Sequence, residues 1–175
     1  AVLGQAKKKC AKGDSLDRLE QRLNEAKVQE PSPGQLQKLI DLHSQGQLQQ
    51  ALKQAEALNH KFPLSVVLYN IKGAVLQGLG QLDLSILTYK KALDIEPNYA
   101  DASYNMGMAL QRQGKLEEAI QAYKKAIEIT PNYADAYNNM GVVLQDQGRR
   151  EKAIEAYIRA LSINPDYAEA YNNIG

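Results

Sequence analysis

A chain of 175 residues with 21 basic and 20 acidic side chains carries a formal net charge of +1, too little to draw it to nucleic acid or an anionic membrane. Apolar residues make up 44% of it and charged residues 23%, the balance of one folded domain or a short repeat array, and no apolar run approaches the roughly 18 residues of a membrane span. The single cysteine, Cys10, excludes an intramolecular disulfide and a cysteine-based metal site, and a reducing, cytoplasmic setting is expected.

In chain order, residues 1–32 form an N-terminal segment. Lys7-Lys8-Lys9 reads as a solvated end. Ser15 to Glu30 predicts an amphipathic helix with Leu16, Leu19, Leu23 and Ala26 in one stripe and Asp14 as its cap. This helix either packs as a cap on the first repeat or serves as a coiled-coil or docking helix. Pro31-Ser32-Pro33-Gly34 then interrupts it.

A repeat governs the rest. The run Tyr89 to Asp101 recurs as Tyr123 to Asp135 and again as Tyr157 to Glu169, a step of 34 residues that Pro97, Pro131 and Pro165 also keep. Gly73, Gly107, Gly141 and Gly175 share the same step, as do Gly80, Gly114 and Gly148. The units are 66–99, 100–133 and 134–167. A divergent unit at 33–65 precedes them, with Leu39, Leu42, Gly46, Ala51 and Pro63 near the right offsets. Residues 168–175 read as the first helix of a further unit cut short, so the chain is expected to be a piece of a longer protein.

Within a unit the pattern predicts two helices. Ala102, Met106, Gly107 and Leu110 share one face, and Leu116, Ala119, Ile120, Tyr123, Ala126 and Ile127 share another. Gln113-Gly114-Lys115 between them has room only for a tight turn. Small residues at Gly107, Ala119 and Ala126 permit close approach, and Pro131 stops the second helix. Asn98-x-x-Asp101, Asn132-x-x-Asp135 and Asp166-x-x-Glu169 read as capping boxes for the helices they precede. One such pair cannot bury its apolar face alone, so each must stack on the next.

Numbered from Val66, Ala100, Ala134 and Ala168, the units resemble the tetratricopeptide repeat. Met106-Gly107, Leu110, Ala119, Tyr123, Ala126 and Pro131 carry its pattern, as do Tyr137, Met140-Gly141, Leu144, Ala153, Tyr157, Ala160 and Pro165. The unit at 66–99 departs once, with Ser85 where alanine is usual. The resemblance implies an all-α fold, a right-handed α-solenoid of stacked antiparallel helix pairs. It also implies a concave groove, lined by the first helices, that binds an extended peptide.

Carried over position by position, the groove set is Asn70, Gln77, Tyr104, Asn105, Met108, Gln111, Asn138, Asn139, Val142, Gln145, Asn172 and Asn173. Asparagine is a poor helix residue, by up to roughly 0.7 kcal/mol against alanine, so its recurrence needs a reason. An amide both donates and accepts, and a row of them could hold a peptide backbone without reading its sequence. This is similar to the asparagine ladder in the repeat arm of O-linked N-acetylglucosamine transferases. The alternative is that these amides only bond neighbouring helices to each other. Where chaperone-tail-binding members of the family carry lysine at position 2, this groove carries Val67, Asp101, Asp135 and Glu169, so no preference for an acidic C-terminal tail is expected. These acids could favour a basic ligand, although capping already accounts for them.

No chemistry competes with binding. His43 and His60 lack a partner ligand at metal-binding spacing, Gly78-Leu79-Gly80 comes after a helix instead of a strand, and no nucleophile motif occurs. The expectation is a non-catalytic protein–protein interaction scaffold with no cofactor and no metal. The alternatives are the substrate-recruiting arm of a larger glycosyl- or sulfotransferase, or an oligomerisation module. Pairing of exposed ends into a homodimer is one consequence of the latter.

Overall fold

The computed structural model describes residues 30–175, so Cys10 and the helix read over Ser15–Glu30, except its last residue, lie outside the described residues. Nine α-helices and no strand occur among those described. They are α1 (Pro33–Ser44), α2 (Leu48–Lys61), α3 (Val66–Gly78), α4 (Leu82–Ile95), α5 (Ala100–Arg112), α6 (Leu116–Ile129), α7 (Ala134–Asp146), α8 (Arg150–Ile163) and α9 (Ala168–Ile174). None is long and apolar enough to cross a membrane.

Each odd helix packs on the even helix after it, and each even helix packs on the next odd one. The turn inside each pair closes on Gly46, Gly80, Gly114 or Gly148, at φ 71 to 75°, a left-handed backbone that other residues resist. Successive odd helices also touch one another, from α1 against α3 to α7 against α9, whereas successive even helices make no comparable contact. The odd row is therefore the inner, shorter arc of the solenoid and the even row the outer one. Shallow grooves open on the outer face between splayed even helices.

The three pairs from α3 to α8 lock through one recurring contact. The rings of Tyr89, Tyr123 and Tyr157 are fully buried. Each lies against the glycine of its partner helix, so that a Cβ at Gly73, Gly107 or Gly141 would come within 2.4, 2.6 or 2.5 Å of the ring. Ser85 fills the alanine position of α4 and donates a 2.8 Å hydrogen bond to the Gly73 carbonyl, which satisfies a hydroxyl with no access to solvent. From Ile86 to Tyr157 the buried side chains form one continuous core. Leu39, Ala55, Leu58 and Leu68 form a separate cluster with Leu36, Phe62 and Ile71.

The capping boxes at Asn98, Asn132 and Asp166 are not formed. The residues entering α5, α7 and α9 are Tyr99, Tyr133 and Tyr167, and none makes a side-chain cap. The tight turn after each even helix places the asparagine or aspartate one residue too early to reach the first free N–H groups. True caps occur elsewhere. Ser32 and Gln35 form a reciprocal box on α1, and Ser65 caps α3 through the Leu68 N–H.

Candidate inner-groove site

The amides of the inner row are tied from one pair to the next. Asn105 Nδ2 donates to Asn70 Oδ1 at 2.9 Å, Asn139 Nδ2 to the Tyr104 hydroxyl at 2.9 Å, and Asn173 Nδ2 to Asn138 Oδ1 at 3.1 Å. Each bond links position 6 of one unit to position 5 of the unit before. One amide N–H of every ladder asparagine is thus used within the protein. Asn105 Oδ1 and Asn173 Oδ1 accept nothing from a described residue. Asn138 departs from the expected open groove: it is only 2% exposed, with its carbonyl held by Asn173 and its N–H turned to Asn139 at 3.4 Å. It supports the row from beneath, while Asn172 is exposed and Asn70, Asn105 and Asn139 are half-buried.

The glutamines have a role that the sequence does not disclose. The hydroxyls of Tyr123 and Tyr157 donate to Gln111 and Gln145 Oε1 at 2.8 and 2.9 Å, and Tyr89 to Gln77 Oε1 at 3.3 Å. The buried tyrosine occupies each amide carbonyl, and the Nε2 of each glutamine donates to no described residue. Met108 and Val142 pack at the edge of the core with part of their surface open.

A second seam runs along the starts of the odd helices. Tyr133 donates to Asp101 Oδ1 at 3.1 Å and Tyr167 to Asp135 Oδ1 at 2.7 Å. Tyr104 stacks on Tyr133 with ring centroids 4.9 Å apart and lies tilted over Tyr123 at 5.9 Å. Burial, and then the neighbouring carboxylates Asp101 and Asp135, push the Tyr133 and Tyr167 hydroxyls above the ordinary tyrosine range, so they remain donors. Burial likewise raises Tyr89 and Tyr123. Asp101 and Asp135 therefore act as acceptors for the tyrosine that closes their own 34-residue unit, a role legible only once residues 32 apart in sequence meet.

A tyrosine fills a glycine notch in each of the three pairs from α3 to α8, and the 34-residue pattern that carries it matches models of known repeats. The TPR repeat profile matches residues 75–114 and 112–148, and the tetratricopeptide repeat profile matches 134–167. The chain belongs to the tetratricopeptide-repeat family. Among solved structures it is similar to a crystal structure of MamA, at TM-score 0.70 and 29% identity over 77% of this chain and 78% of that one. A MamA structure from Desulfovibrio magneticus RS-1 gives TM-score 0.71 at 21% identity, covering 79% and 78%. The first tetratricopeptide domain of Spaghetti (RPAP3), bound to the HSP90 peptide SRMEEVD, gives TM-score 0.61 at 26% identity, covering 62% of this chain and 86% of that one. No curated protein matches significantly.

Proposed function

We propose that this tetratricopeptide array is a non-catalytic scaffold that holds an extended polypeptide along its inner row. One observation carries the reading. The row exposes acceptors at Asn105 and Asn173 Oδ1 and donors at the glutamine Nε2 atoms, beside the apolar edges of Met108 and Val142. An extended backbone offers the complementary alternation of C=O and N–H, and its side chains can meet the apolar edges. That a similar domain, in Spaghetti, is bound to a peptide supports this. The ligand differs in kind from that acidic peptide. Asp101, Asp135 and Glu169 begin the inner helices here, and like charge there disfavours a glutamate-rich segment. A reducing, cytoplasmic setting suits a chain with one cysteine.

Selection of binders from a random displayed peptide library tests the proposal. Asn105→Ala/Asn139→Ala should weaken the selected peptides at least tenfold, while the outer-face pair Lys124→Ala/Lys125→Ala should not. Equal affinity of the groove variant and the parent would reject it.

Self-association is a second reading. It is favoured by the apolar face on α8 and α9, where Ile154, Ile158, Tyr171 and Ile174 are 42, 55, 57 and 37% exposed. Sedimentation velocity should then show a concentration-dependent dimer that Ile158→Lys abolishes; a monomer at every concentration excludes it.

A further inference from the structure

The outer groove between α2 and α4 breaks the packing rule of the other pairs at two points that face the same space. Moved by the 34-residue step, Asn59 corresponds to Leu93, Ile127 and Leu161, and Lys72 corresponds to Met106, Met140 and Ile174. Leu93, Met106 and Met140 pack on the core. At the equivalent places α2 and α3 present an amide and an ammonium. Neither is well served by the protein. Both polar atoms of the Asn59 amide are enclosed and have no hydrogen-bond partner. The Lys72 side chain is 21% exposed and meets one carboxylate, Glu56, at 3.5 Å, which is itself mostly in water. Enclosed polar groups without partners oppose folding, and two apolar side chains would fill the same places better.

These residues line one cavity of about 480 Å³ together with His60, Tyr69 and Lys91. Lys91 is exposed and pairs with no acid among the described residues. Two ammoniums and a histidine thus stand against the single carboxylate of Glu56, and an amide beside them lacks both an acceptor and a donor.

We propose that this outer groove is a second binding site, separate from the inner row, for an acidic side chain presented on a peptide backbone. The ligand carboxylate lies between Lys72 and Lys91 and, once the enclosed Asn59 amide turns toward the cavity, accepts from its Nδ2. A backbone N–H of the same peptide donates to Asn59 Oδ1. The second contact distinguishes a peptide from a free carboxylate, which brings no N–H. The array would thereby hold two partners, or two stretches of one partner, on opposite faces.

The test titrates the full chain, isotope-labelled, with three probes read at the Asn59 side-chain amide by NMR. These are the capped peptide acetyl-Ala-Gly-Glu-Gly-Ala-amide, its glutamine counterpart, and sodium acetate. The glutamate peptide should bind at least tenfold tighter than either of the others. Asn59→Leu/Lys72→Met, which restores the pattern of the later pairs, should bind the glutamate peptide at least tenfold more weakly while melting at a higher temperature than the parent. A glutamine peptide or acetate that matches the glutamate peptide would overturn the proposal. So would unchanged binding by the double variant, or a lower melting temperature, which would make the polar pair a structural necessity.

Discussion

At the scale of single residues, the solenoid rests on steric pairs that tolerate little change. Gly107 is the clearest. A Cβ there would lie 2.6 Å from Cε1 of a Tyr123 ring that is itself fully buried and anchored to Gln111. The ring cannot swing away without breaking that bond and opening the core. Gly107→Ala should therefore cost about 1–3 kcal/mol by overpacking, despite alanine being the better helix former. Urea unfolding would check this. The same change at Gly34, where a Cβ meets nothing within 4 Å, should be neutral or slightly stabilising.

At the scale of elements, the helices differ in how they begin. Ser65 starts α3 with its hydroxyl buried, accepting from the Leu68 N–H and donating to the Glu30 carboxylate. Ser65→Ala removes a cap and leaves a carboxylate without its donor, and about 1–2 kcal/mol of stability should go with it. Asn98 and Asn132 look like caps in sequence yet make no such bond, because Tyr99 and Tyr133 occupy the cap positions. Asn98→Ala and Asn132→Ala should stay within about 0.5 kcal/mol of the parent, as exposed substitutions do. Thermal melts of the three variants side by side would separate these cases. The same contrast holds for the acids at position 2. Their spacing suggests capping for Asp101 and Asp135, but their partners are the tyrosines that close their own units.

At the scale of the whole molecule, stability is set by pair-to-pair interfaces, and these are uneven. The buried core runs without a break from Ile86 to Tyr157, whereas the cluster around Leu39, Ala55 and Leu58 stands apart across the polar junction of Asn59 and Lys72. Cooperativity should weaken at that junction. Hydrogen exchange should therefore show the amides of α1 and α2 exchanging well before those of α5 to α8. The double variant Asn59→Leu/Lys72→Met should narrow the difference. Uniform protection across all pairs would contradict an uneven solenoid.

Spacing along the chain is enough to establish the repeat, its 34-residue step, the all-α class and the tyrosine, glycine and alanine positions of the core, because a helix turns spacing into a face. It also places the asparagines of the inner row together on the odd helices. The docking of one pair on another decides what those side chains do. Whether Asn105 offers its amide to a ligand or to Asn70, whether Asn138 is open or enclosed, and whether Asp101 caps a helix or receives Tyr133 all depend on partners 32 to 35 residues away. Likewise Asn59 and Lys72 are two ordinary polar residues until the stacking of α2, α3 and α4 sets them around one cavity. The physical reason is that hydrogen bonds are short and directional, so their pairing is fixed by how one hairpin docks on the next.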